Sequence, residues 1–309
     1  MGNVFNGAYR FAGVGLETWI TSNVQRLDET FLWVVKMNAD LSGWNVAKVA
    51  TLTRTFQGAY KFAGTGLNTW ITASVTTLDS TFEGAGEMVA DLSGWSVGKV
   101  TTLYQAFYGA SKFDSDVTSW NVAKVATLHD TFSGASEFKG IGLGSWITTS
   151  VTTLFSTFNG AGDMNADLSK WSVEKVTTLY RTFQGAHKFE GTGLASWITA
   201  AVSNMEETFD GASVFVGAGL HNWYVCAVTT MDKMFGKSML TMSSCDKHAI
   251  ADAWASSTAF AATAYPNIWK VNTCSLTDAT FKEASCKLLH PRTPTLPPPN
   301  PPTLHPRLL

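Results

Sequence analysis

The chain has 309 residues, 45% of them apolar and 15% charged, with a formal net charge of -2. That is enough apolar material for one or two ordinary cores, and the near-neutral balance leaves no electrostatic footprint for nucleic acid or an anionic membrane. No apolar run approaches the roughly 20 residues that span a bilayer, and the start, MGNVFNGAYR, has neither a basic nor an apolar leader region, so neither a membrane span nor a signal peptide is expected.

From its first residues the chain repeats itself. The line WNVAKVATLTRTFQGAYKF at 44–62 returns as WSVEKVTTLYRTFQGAHKF at 171–189, and a fixed period of roughly 20–50 residues marks a repeat architecture. Trp19, Trp44, Trp70, Trp95, Trp120, Trp146, Trp171, Trp197 and Trp223 follow one another at 25 or 26 residues. Phe31, Phe56, Phe82, Phe107, Phe132, Phe158, Phe183 and Phe209 keep the same beat, and columns of Val and Leu or Met run between them. Two kinds of unit occur, one reading GLxxWITxxV and one reading DLSxWxVxKV. The repeat domain is expected over 1–236. Met1 lies four residues before Phe5 as Leu27 lies four before Phe31, so the chain starts inside a unit, and the expectation is that sequence precedes it.

Within a unit, Val49, Leu52, Phe56 and Ala59 fall at i, i+3, i+7 and i+10. That spacing predicts a helix of about three turns with one apolar stripe, ended near Gly58. A helix so short is marginal alone, and stacking of successive coils would bury its stripe. Extended segments pair every ~4.8 Å and packed helices need ~8–10 Å, so a curved stack with helices on the convex side is expected.

After Phe235 the beat fails. Residues 244–260 read as a helix starting near Ser244 or Asp246, with Ile250, Trp254 and Ala253 facing inward. A cap is expected over 237–290 and a disordered or polyproline-like tail over 291–309, since eight of the nine prolines follow residue 290. The four cysteines all lie in the last third. Their even number fits a disulfide-stapled end as well as a reduced set; if oxidised, Cys245 and Cys274 are the expected pair.

The stretch WSVEKVTTLYRTFQGAHKF, with DLSGW elsewhere, resembles the BspA-like bacterial surface-protein repeat of 25 or 26 residues, also found in Mycoplasma-type lipoproteins and in protist and algal proteins. The likeness covers about residues 1–236. It implies a leucine-rich-repeat-like solenoid with a role in adhesion or binding and no enzymatic activity. The fold expected is therefore an α/β repeat, a right-handed solenoid of about nine coils with short extended segments on one side and short helices on the other.

Chemistry-bearing patterns are sparse. The Trp column could present an exposed ladder for sugar rings, but its register with Val and Leu columns favours the core. Paired threonines such as Thr76-Thr77 and Thr101-Thr102 could line an ice-binding face, yet neighbouring residues do not share a face. Asp40, Asp91, Asp116 and Asp167 form a column, as do Lys48, Lys99, Lys124 and Lys175, and one carboxylate per coil is thin support for calcium. The six histidines share no column and show no metal spacing. No catalytic motif is found, and no cofactor, metal or nucleic acid is expected. The expectation is a non-enzymatic module for a protein or cell-surface ligand, with glycan or ice-surface recognition as the alternative. Positions 53–54, 79–80, 104–105, 129–130, 155–156 and 180–181 are expected to point outward and carry specificity.

Overall fold

The computed structural model describes residues 1–269. The expected tail over 291–309 and the part of the expected cap beyond residue 269 lie outside them.

Each repeat enters through a tight turn, passes its Trp inward, runs extended for a few residues and then descends through consecutive turns to its Phe. Parallel bridges pair Arg26 with Thr51, Thr51 with Thr77, Thr102 with Thr127 and Thr127 with Thr153. Among the described residues the α-helices are confined to α1 (Ser244–Ala253), α2 (Thr258–Ala261) and α3 (Tyr265–Trp269).

The three-turn helix expected over 49–59 is thus absent, and the hydrogen bonds show why. The Thr55 and Ala59 amides donate to the Leu52 and Phe56 carbonyls at 3.0 Å, three residues back. The intervening amides of Arg54, Phe56 and Gly58 donate to the Asp79, Thr81 and Glu83 carbonyls of the next repeat at 2.9, 2.9 and 2.6 Å. Turns of this kind bring Val49, Leu52, Phe56 and Ala59 to the inside at the spacing that a helix would use, so the stripe is ambiguous between the two. Thr and Gly, which recur in stretches such as TLTRTFQGAY, are poor helix formers, and inter-repeat bonds satisfy donors that an α-helix would spend on itself. The switch needs left-handed backbone once per unit. A column running from Glu29 and Arg54 to Lys233 adopts φ of 48–53° without glycine, which costs each of these residues about 1 kcal/mol.

The bonds between repeats also set the packing of the interior. The Phe column stacks with ring centroids 5.5–6.0 Å apart, and the Trp column at 5.9–6.4 Å with planes 3–7° apart. No row of helices sits opposite the bridges, so the spacing mismatch from which curvature was expected does not arise.

The two kinds of unit fit each other. Gly66, Gly142 and Gly193 adopt φ of 88–95° and lie against the backbone of the preceding DLS-type turn, where a Cβ would come within 2.1 Å of the Ser42, Thr118 and Ser169 nitrogens. Each 26-residue step from a DLS-type Trp (44 to 70, 120 to 146, 171 to 197) ends on such a GLxxW unit. The extra residue builds the 3₁₀ turn, Leu67–Thr69 in the first of these, that lets the glycine close on its neighbour.

The last repeat is closed by the helical segment. Inside the stack each Phe amide donates to the following repeat, as Phe209 does to Met234 at 2.7 Å. Phe235 has no following repeat, and Tyr265 Oη accepts from its amide at 3.2 Å and from Gly236 at 3.3 Å. Trp269 continues the ring column 5.1 Å from Phe235, with Trp254 at 6.3 Å. α1 starts at Ser244, as expected, with Ser243 as its cap accepting from the Asp246 amide at 3.0 Å, but it ends at Ala253, so the single helix expected over 244–260 is interrupted before α2. Ile250 and Trp254 are buried as the stripe required, while Ala253 is only half-buried.

Candidate functional site

The Trp and Phe columns are interior. Trp44 through Trp223 are at most 3% exposed, Phe31 through Phe209 are fully buried, and Trp19 is half-buried in the first repeat. From Trp44 to Trp223 each indole N–H donates to a carbonyl one repeat earlier, as Trp95 Nε1 does to Leu67 O at 2.8 Å and Trp171 Nε1 to Leu143 O at 2.8 Å. The indole faces lie against one another, so they offer no platform to a sugar ring.

Of the positions expected to point outward, Ser80 and Ser156 are buried and the rest are partly or fully exposed. One residue after the Leu of each turn, the chain places Tyr104, His129, Phe155 and Tyr180 in register on the outer surface. Tyr104 and His129 lie 5.0 Å apart, His129 stacks on Phe155 at 4.3 Å with planes 7° apart, and Phe155 meets Tyr180 at 4.8 Å. All four are half-buried. The same column holds Asp79 before the ladder and Glu206 after it.

The second threonine of each pair fixes this column. Thr102, Thr127, Thr153 and Thr178 accept through Oγ1 from the amides of Tyr104, His129, Phe155 and Tyr180 at 3.1–3.2 Å, a local turn that orients the ring-bearing residue. The first threonine is exposed, and its hydroxyl donates to the previous repeat, as Thr76 does to Ala50 O at 3.0 Å. The pairs therefore cap turns.

Beside the ladder runs the left-handed column, with Gln105, Asp130, Arg181 and Glu207. Asp130 Oδ2 lies 3.3 Å from His129 Nε2 and accepts from Gln105 at 3.4 Å. Burial pushes the Asp130 carboxyl above the usual carboxylate range, against the opposing pull of His129, Gln105 and Ser156. Burial also raises the Tyr104 hydroxyl, and Asp130, Asp79 and Glu83 add to that, against the opposing pull of Arg54. At the far end Arg181 places its guanidinium 4.8 Å from the Tyr180 ring centroid and its Nε 2.5 Å from Glu207 Oε2. Glu207 is buried and also accepts from Gln184 at 3.0 Å.

The charged columns do local work. Asp40, Asp91, Asp116 and Asp167 accept from the amides of Ser42, Ser93, Thr118 and Ser169 at 2.7–2.8 Å. These bonds hold the Asp40 and Asp91 carboxyls below their ordinary value. Lys48, Lys99, Lys124 and Lys175 are exposed. Among the described residues no cluster of His, Cys, Asp and Glu is arranged to hold a metal ion, and no helix is long and apolar enough to cross a membrane. Cys226 and Cys245 are both disulfide-bonded; Cys274, the expected partner of Cys245, lies outside the described residues.

The alignment of repeats already contained the ladder. Read down the column, residues 104, 129, 155 and 180 are Tyr, His, Phe and Tyr, but Thr53, Asp79 and Glu206 in the same column hide the pattern.

Stacked repeats with an interior of columns and an exposed, ordered face define a tandem-repeat protein. The chain belongs to the family described as Mycoplasma protein of unknown function, DUF285, whose model matches three times in tandem, over residues 1–65, 56–146 and 137–248. No curated protein and no solved structure matches the chain.

Proposed function

We propose that the repeats wind as a right-handed solenoid whose outer face is a non-enzymatic binding surface for a protein or cell-surface ligand, in the manner of the BspA-like surface repeats that the sequence resembles. The observation that carries this reading is the ladder Tyr104, His129, Phe155 and Tyr180. Half-exposed aromatic rings in one register are the side chains that dominate recognition surfaces, and their contact area is held by bonds to the threonines at 3.1–3.2 Å, so little ordering cost remains on binding. Repetition along the stack adds avidity.

The test is a cell-surface and glycan-array screen with the full chain, after confirming a monodisperse sample. Saturable binding that disappears in the double variant Phe155→Ser, Tyr180→Ser is the expected result; a blank on folded protein overturns it. One observation favours an ice-surface reading instead. The exposed column at 50, 76, 101, 126, 152, 177, 203 and 229 contains only Ala, Thr and Ser. Inhibition of ice recrystallisation by the wild type, abolished by Thr152→Lys, would select that reading.

A further inference from the structure

We propose that the Tyr104 end of the outer ladder is a seat for an arginine side chain presented by a partner protein. This rests on the binding-face reading above and names the chemistry of its partner.

The two ends of the ladder are filled differently: where the Tyr180 repeat has Arg181, the Tyr104 repeat has Gln105, a neutral side chain that donates to Asp130 at 3.4 Å. At the Tyr180 end the seat is occupied from within: the Arg181 guanidinium lies 4.8 Å from the ring centroid and is held by Glu207 at 2.5 Å. A guanidinium between an aromatic face and a carboxylate is favoured because the ring quadrupole attracts the cation while the planar fork meets the carboxylate. At the Tyr104 end the aromatic column stops, because the preceding position is Asp79. Among the described residues, ring-seated cations occur at Tyr60 and Tyr180, and none lies over Tyr104.

Acidic groups outnumber basic ones at that end. From residue 79 to residue 133, the ladder column and the two columns beside it carry Asp79, Glu83 and Asp130, and neither Lys nor Arg. Arg54, one repeat earlier, acts on Tyr104 against those carboxylates and lies 3.7 Å from Glu29. Tyr108, 42% exposed, adds a second ring in the same repeat as Tyr104. An anionic surface with an aromatic end attracts a partner's cation, and arginine suits it better than lysine, whose ammonium is more strongly hydrated.

The experiment is fluorescence anisotropy with the full chain and a labelled peptide of Arg, Gly and Ser, against the same peptide with citrulline for arginine. The arginine peptide is expected to bind, more weakly as salt is raised, and the citrulline peptide not to bind. Tyr104→Leu, which keeps apolar volume and loses the ring, is expected to weaken binding about five- to tenfold. Arg181→Gln, which empties the inner seat, is expected to tighten it by about twofold or more as a second seat opens. Equal binding of both peptides, wild-type affinity in a Tyr104→Leu protein that melts normally, or no tightening in Arg181→Gln overturns the proposal. If Tyr104→Leu fails to fold, Asp79→Asn and Arg181→Gln decide in its place. Saturable cell-surface or glycan binding without arginine-peptide binding sinks this seat and leaves the broader reading intact, whereas a blank in both assays sinks both.

Discussion

The molecule stacks aromatic rings twice, once inside and once outside. The inner Phe column keeps 5.5–6.0 Å between centroids, and the outer ladder of Tyr104, His129, Phe155 and Tyr180 keeps 4.3–5.0 Å. Similar spacing in such different surroundings shows that the backbone bonds between repeats impose the register, and that stacking follows from it. The inner columns run unbroken because each ring also fills volume, and a gap there would leave a cavity. Outside, a ring can give way to Asp79 or Glu206 without such a penalty, so the outer face is where the repeats differ.

The comparison breaks most clearly at the inner columns. Trp95→Ala removes a buried indole and its bond to Leu67 O, and is expected to cost about 3–5 kcal/mol in denaturant unfolding. A loss below about 1 kcal/mol would mean that the column is not holding the stack. Gly142→Ala tests the fit between the two kinds of unit: the new Cβ meets Thr118 N at 2.1 Å with φ at 95°, and about 2–3 kcal/mol should be lost. Phe155→Ala, in the outer ladder, should cost about 1 kcal/mol, and a loss as large as that of Trp95→Ala would erase the distinction between inner and outer rings.

The smallest effect is in pH dependence, where two carboxylates should act in opposite senses. Asp130 is raised by burial, so its folded form binds protons more readily than the unfolded chain. It therefore lowers stability progressively as pH rises from its unfolded value of about 4 through its raised folded one. Asp91 is lowered by bonds from Ser93, so the stability it lends is present above about pH 4 and is lost as pH falls through its folded value. Thermal melts of Asp130→Asn and Asp91→Asn between about pH 3 and 7 should tilt the profile in opposite directions, and parallel profiles would contradict both assignments.

Much of the interior was legible. The period, the Trp and Phe columns and the boundary near 236 could be read because each demands one residue type in every unit. The path of the chain was not, since Val49, Leu52, Phe56 and Ala59 satisfy helix and stacked turns alike, and only the bonds from Arg54, Phe56 and Gly58 to the next repeat separate them. The ladder was missed for the opposite reason. Tyr104 and His129 touch across 25 residues, and a column occupied by rings in only four repeats does not stand out when columns are sought by constancy.

A stack whose repeats are joined by amide-to-carbonyl bonds ends, in principle, in a row of open donors that any second chain could continue, which is how exposed strand edges seed aggregates. By accepting from Phe235 and Gly236 at 3.2 and 3.3 Å, Tyr265 Oη covers two of the donors that this end of the stack would otherwise leave open.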